Sequence, residues 1–138
     1  MSEGCQKKII STEKAPKAIG PYSAGVKVSH FVYTAGQLGL DPATGNLVTG
    51  GVEAETQQAL QNLKAILEAA DAKLDDVVKT TVFLKDMNDF QKMNGIYGEF
   101  FTSAAPARSA VQVAALPKGG AVEIEAVAFI SSETCDCC

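Results

Sequence analysis

Pro106-Ala107-Arg108-Ser109-Ala110-Val111-Gln112-Val113-Ala114-Ala115-Leu116-Pro117-Lys118-Gly119-Gly120-Ala121-Val122-Glu123-Ile124-Glu125 is the stretch on which the reading of this chain turns. Val111 and Val113 alternate with polar or small neighbours. Pro117 and Gly119-Gly120 supply a reversal, and alternation resumes from Val122 to Ile130, so the pattern predicts strand, turn, strand. Two charged residues interrupt segments that otherwise have the composition of buried sheet: Arg108 near the start of the first strand and Glu123 near the start of the second. A charge in a core strand is costly unless it is paired or used. The residues alone leave open whether these two pair with each other, point to solvent from strand ends, or belong to a site.

Around this stretch the composition is that of one soluble globular domain. The chain has 138 residues, 46% of them hydrophobic and 20% charged, enough to bury a core unaided. We read residues 1–138 as a single domain, folded over about 8–131, with 1–7 and 132–138 as flexible tails. No apolar run reaches bilayer length, and Met1 to Lys8 carries neither an apolar leader nor an Arg-rich amphipathic pattern, so a cytoplasmic setting is expected. The net charge of −4, with no basic block beyond Lys7-Lys8, argues against nucleic acid as a partner. The four cysteines, Cys5, Cys135, Cys137 and Cys138, all lie at the ends, so no disulfide framework is implied. The Cys-rich tail admits metal binding, redox sensing or prenylation, but Asp136 is not aliphatic and Cys is an unusual final residue for the last, and the tail reads as a frayed end with incidental thiols.

Taken in order, Lys8 to Ser11 predicts a short edge strand, and Gly20-Pro21-Tyr22-Ser23 a tight turn. Gly25–His30 and Phe31–Gly36 predict a hairpin, with His30, the only histidine, exposed and idle at its turn. Gly36, ending the second strand, permits close approach of a ligand to the backbone. Leu38 to Gly51 reads as loop. Leu60, Leu63, Leu67 and Ala70, with Ala59 and Ile66, repeat at helical spacing and predict a helix over about Glu53 to Ala70, with Asp71 in a left-handed cap. Asp76 to Asp86 is β-branched nearly throughout and is the strongest strand. A second helix begins near Asn88, and its face carries Phe90, Asn94, Tyr97 and Phe101. Asn94 on that aromatic stripe needs a hydrogen-bond partner. Hairpin, helix, strand, helix, hairpin is an α+β order: a mixed β-sheet with two helices packed on one face. Val78, Thr80, Val82 and Leu84 oppose Lys79, Thr81 and Phe83, so both sheet faces are partly apolar and self-association follows.

The spacing Pro-Ala-Arg-Ser at 106–109, the apolar Val111, small Ala114, Leu116 and Val122-Glu123-Ile124 resemble the signature of the RidA/YjgF family, and the resemblance extends from Ile10 to about Phe129. It implies a chorismate-mutase-like fold, a homotrimer with pockets between subunits, and hydrolytic deamination of reactive enamines and imines to 2-keto acids and ammonia. It also implies residue roles: Tyr22 lines the pocket, the Gly36 amide contacts the substrate carboxylate, Asn94 approaches a neighbouring subunit's pocket, and the Ala110 carbonyl helps hold a water. Asp71 and Ala110 stand where relatives carry glycine and cysteine, and Ala105 where an aromatic is common.

Arg108 and Glu123 then take catalytic roles that the chemistry supports. A guanidinium grips one carboxylate bidentately, and a carboxylate holds a water and takes its proton. The expected substrate is a small 2-imino acid such as 2-iminopropionate or 2-iminobutanoate. No cofactor or metal is expected, since the H-x-E and P-C-x-x-C ligands of zinc deaminases are missing. Two other classes stand beside this one: an endoribonuclease or translation inhibitor, and a non-catalytic ligand binder or holdase using the same pocket.

Overall fold

The β-branched run in the middle of the chain becomes the strand about which the others arrange themselves. In the computed structural model, residues 6–131 are described; the terminal cysteines Cys5, Cys135, Cys137 and Cys138 lie outside them. The elements are β1 (Lys8–Ile10), β2 (Gly25–Val28), β3 (Phe31–Thr34), β4 (Gln37–Leu38), α1 (Gly51–Ala69), β5 (Val77–Leu84), α2 (Phe90–Phe100), β6 (Ala107–Gln112) and β7 (Val122–Phe129). The sheet runs β1-β2-β3-β7-β5-β6, with β4 also on β7 beyond the end of β3. β5 and β6 are parallel and the remaining pairs antiparallel. α2 supplies the crossover that a parallel pair requires.

The last two strands are therefore not a hairpin, as the sequence pattern suggested. β7 pairs along its length with β5, and β5 separates it from β6. The reason is packing. β5 and β7 are both eight-residue strands rich in apolar residues, so their pairing buries more than β6 could offer, and residues 113–121 step across the end of β5 instead of turning tightly.

Both helices lie on one face. α1 buries Val52, Ala59, Leu60, Leu63, Ile66 and Leu67 against Val32, Val82, Ile124 and Ala128, while α2 contributes Met93 and Tyr97. One inward residue differs from the expected alternation. Val78 is 47% exposed, because the register slips between Val77 and Lys79 and Val77 takes the core position in its place. Ile9, Phe31, Tyr33, Val111 and Phe129 are exposed. Register and alternation put them on the face away from the helices. His30 is half-buried, not idle: its Nδ1 lies 2.9 Å from the Ile130 carbonyl and its ring stacks on Phe129. The Ser29-His30 turn lies against the end of β7, and Ile130 N donates back to His30 O over 2.8 Å. Among the described residues, no helix is long and apolar enough to cross a membrane.

α1 ends as its sequence predicts. Asp71 has φ 64°, its N–H reaches the Glu68 carbonyl at 3.0 Å, and the N–H of Ala72 reaches that of Leu67 at 2.8 Å, the two bonds of a Schellman cap. A β-carbon is disfavoured there. Asp71→Gly is expected to stabilise the chain by up to about 1 kcal/mol, seen as a higher urea midpoint at unchanged slope; an equal or lower midpoint contradicts this account of the cap.

Candidate functional site

Glu123 owes its position to a break in the edge of β7. β3 pairs with β7 as far as Tyr33↔Val127, and β4 resumes at Gln37↔Ile124 with the register shifted. In the gap the Thr34 hydroxyl accepts the Ala126 N–H at 3.0 Å. Gly36 stands in the same gap, and a Cβ on it would lie 2.6 Å from Glu123 Oε2 and 2.8 Å from Cδ. The glycine is thus required by the glutamate's own side chain, which lies flat on the Gly36 backbone. Glu123 and Gly36 open onto a cleft of about 290 Å³, lined also by Ile19, Tyr22, Leu38 and Pro117, with Lys17 and Lys118 at its margin. Burial pushes the Glu123 carboxyl above the ordinary carboxylate range, and repulsion from Glu125 on the same strand adds to it. Tyr22 is exposed, and its hydroxyl accepts the Ile19 N–H at 3.3 Å.

Arg108 occupies a different environment. Its guanidinium carbon sits 4.7 Å from the ring centroid of Tyr97 and 5.4 Å from that of Phe90. Its Nη1 donates to Asn94 Oδ1 over 2.7 Å. The aromatic stripe of α2 is therefore a cation-π seat, and Asn94 satisfies its hydrogen bond on the arginine of its own chain. Tyr97 is fixed in turn by a 2.7 Å contact between its hydroxyl and Thr80 Oγ1. Burial raises the Tyr97 phenol, although Thr80 and the Arg108 charge oppose the shift, so it remains neutral beside the cation. No carboxylate of the described residues pairs with Arg108. A half-buried cation with ring faces and one amide oxygen for company retains the capacity to bind an anion.

Within one chain, Arg108 and Glu123 do not meet, and neither pairs with the other. Arg108 is in register with Thr80 and Glu123 with Phe83. Positions three apart on a strand face opposite ways. Thr80 is buried against Tyr97 of α2, so Arg108 is on the helix side; Val122 and Ile124, both fully buried, flank Glu123, which points away. Ala110 lies two residues beyond Arg108 on the outermost strand. Val113 N donates to Leu84 O at 2.9 Å, and by alternation the backbone groups of Arg108, Ala110 and Gln112 face the open edge of the sheet. The Ala110 carbonyl is therefore available to a ligand. Ala105 is exposed. A larger groove of about 590 Å³ along β1 and residues 11–24 carries only Glu13, Lys17 and Tyr22 as ionisable lining. No three His, Cys, Asp or Glu side chains among the described residues cluster as a metal site requires. Sequence reasoning did not anticipate the lining by Pro117 and Lys118. The signal was the Pro-Lys-Gly-Gly turn, read there only as a reversal.

The chain is similar to known proteins in both sequence and fold. Residues 12–130 match the family described as Endoribonuclease L-PSP. A 2-iminobutanoate/2-iminopropanoate deaminase from Bos taurus is 59% identical over 122 residues, covering 88% of this chain and 89% of that one. Among solved structures, the YjgF protein of E. coli superposes with a TM-score of 0.85 at 50% identity, over 88% of this chain and 98% of its own. E. coli TdcF with bound serine gives 0.86 at 45% identity, over 90% and 99%.

The raised carboxyl makes a directional prediction. Glu123 binds its proton more tightly folded than unfolded, so its contribution to stability is full below the ordinary carboxylate pKa. That contribution falls as pH rises through the window up to the raised value. Glu123→Gln should abolish this decline in urea unfolding across the acid range. Glu125→Gln should lower the Glu123 pKa in a 13C-carboxyl NMR titration; an unchanged or raised value would remove Glu125 as a cause.

Proposed function

Because the chain belongs to the Endoribonuclease L-PSP family, the RidA/YjgF family, we propose that it is a hydrolytic deaminase of small 2-imino acids, with its site completed between copies of the chain. The observation that carries this is the separation of a counterion-free guanidinium and a raised carboxylate onto opposite faces of one sheet. The deaminase from Bos taurus and its counterparts are named for this reaction. The serine held by TdcF is a small amino acid whose carboxylate is the group Arg108 is equipped to take.

The roles follow from the chemistry. Arg108, seated on Phe90 and Tyr97 and oriented by Asn94, holds the substrate carboxylate bidentately. The Gly36 amide and the Tyr22 ring bound the pocket around Glu123. An enamine substrate first takes a proton from water on its β-carbon and becomes the iminium, the protonated form of the imine. Glu123, with the Ala110 carbonyl as second acceptor, holds a water and removes its proton as oxygen bonds to the imine carbon. The proton passes to nitrogen, the carbinolamine collapses, the C–N bond breaks, and ammonia leaves behind a 2-keto acid. A carboxyl whose proton affinity is raised by burial is the better acceptor of that proton and can return it. The C=N carbon is electrophilic once nitrogen is protonated, so water activated by Glu123 can add to it.

One copy cannot place Arg108 beside its own Glu123, so we assign the two to neighbouring copies. The helix-side edge of one chain then meets the cleft face of the next. That contact is heterologous and closes into a ring; a trimer is the ring the family resemblance implies. It would also cover the outward apolar residues Phe31, Tyr33, Val111 and Phe129. RNA cleavage, named in the family's description, is the second reading. A net charge of −4 and a carboxylate in the cleft oppose a polyphosphate ligand, and salt-dependent RNA affinity would favour it.

Semicarbazide trapping of 2-iminopropionate measures the reaction. Arg108→Ala should lose about two orders of magnitude in kcat/KM, the ~3 kcal/mol of a desolvated ion pair. Trapping unaffected by high concentrations of wild-type protein would turn the reading to a ligand binder. Arg108→Ala and Glu123→Gln chains, each inactive, should regain about a quarter of wild-type activity when unfolded and reassembled in equal mixture, the share of sites that draw both intact residues from different copies. No recovery in a mixed oligomer would defeat the shared site.

A further inference from the structure

On the sheet-facing side of α1, Glu55, Gln58 and Asn62 form a set of hydrogen-bonded polar residues that the reaction does not use. Glu55 is 8% exposed and Asn62 fully buried, and Gln58 lies between them. Seven residues separate Glu55 from Asn62, so they share one helix face. Glu55 and Asn62 make bonds that end beside the candidate site, and Gln58 supports Asn62. Glu55 Oε1 accepts the Ala121 N–H at 2.8 Å, two residues before Glu123. Asn62 Nδ2 donates to the carbonyls of Leu38 at 3.1 Å and Leu40 at 2.9 Å, just beyond Gly36. Gln58 Nε2 donates to Asn62 Oδ1 at 2.9 Å and so orients that amide.

The packing around Glu55 is as close as its hydrogen bond. A Cβ on Gly39 would lie 2.5 Å from Glu55 Cα, and one on Gly120 would lie 2.8 Å from Leu38 Cδ2 and 3.8 Å from Glu55 Oε1. Two glycines thus let β4 and the approach to β7 close onto one turn of α1. Ala121 is gripped from both sides, since its carbonyl accepts Lys85 N–H at 3.0 Å. A buried carboxylate is an expensive way to satisfy one backbone N–H, and its retention there needs a reason.

Resting on the deaminase reading, we propose that Glu55 is a positioning residue: through the Ala121 N–H it sets the height of Glu123 over Gly36, while Asn62 fixes the Gly36 segment from the same helix. The acceptor oxygen, not the charge, performs this role. The charged groups that face Glu123 are Glu125 on its own strand and Lys17 and Lys118 across the cleft, and Glu55 reaches it only through backbone.

Two variants separate acceptor from charge. Glu55→Gln removes the charge and keeps an oxygen of the same reach; Glu55→Asp keeps the charge and withdraws the oxygen by one methylene. Glu55→Asp should lose about tenfold in kcat with KM within about twofold, as expected for a misplaced group that the substrate carboxylate does not touch. Its Glu123 carboxyl should titrate lower in 13C NMR, because the side chain leaves its buried place on Gly36. Glu55→Gln should keep wild-type kcat within about threefold and the wild-type Glu123 titration. A Glu55→Asp chain matching wild type in both readouts overturns the proposal, and so does a tenfold loss in Glu55→Gln. If Glu55→Asp does not fold, Glu55→Gln decides alone. The titration needs no turnover, so a wild-type chain inactive on imines would defeat the deaminase reading and leave this one decided by NMR.

Discussion

Pairing of β7 with β5 is the constraint from which the rest follows. It sets Phe83 opposite Glu123 while the parallel β5–β6 ladder sets Thr80 opposite Arg108. That difference of three positions puts the carboxylate and the guanidinium on opposite faces. A sheet in which β6 and β7 were neighbours could have joined the two in one chain. As built, each face carries one of the two groups, and a single chain does not bring them together.

Each half is prepared by its surroundings. Arg108 lies on two ring faces with one neutral oxygen partner, so its charge is not taken up by an ion pair. Glu123 is pressed onto a glycine backbone with Glu125 nearby, and both raise its affinity for a proton. One group stays charged in a poor solvent and the other holds its proton more tightly than an ordinary carboxyl. Those are the needs of a binder of carboxylates and of an activator of water.

The scaffold behind them is less apolar than its pattern suggests. α1 presents leucines and isoleucine to the sheet along most of its length, yet at Glu55, Gln58 and Asn62 it ties down the backbone on either side of the cleft. Buried polar contacts of this kind hold a defined geometry in a way that apolar packing alone does not. Thr56, by contrast, has a buried hydroxyl with no hydrogen-bond partner among the described residues.

The order of elements, the helical stripe of α1, the left-handed Asp71, the strength of β5, and the singling out of Arg108 and Glu123 could all be read from the residues in line. Each is a local property: a period, a turn former, or a charge where charges are costly. The aromatic stripe of α2 was equally legible, but not that Arg108 would lie on it. Strand order, the bulge that exposes Val78, the contact between Gly36 and Glu123, and the reach of Glu55 to Ala121 depend on residues far apart in sequence. Alternation reveals that a residue has an inner or outer face but not which strand will lie beside it. That choice is made by the total area buried when all strands compete for partners, and only the folded chain decides it.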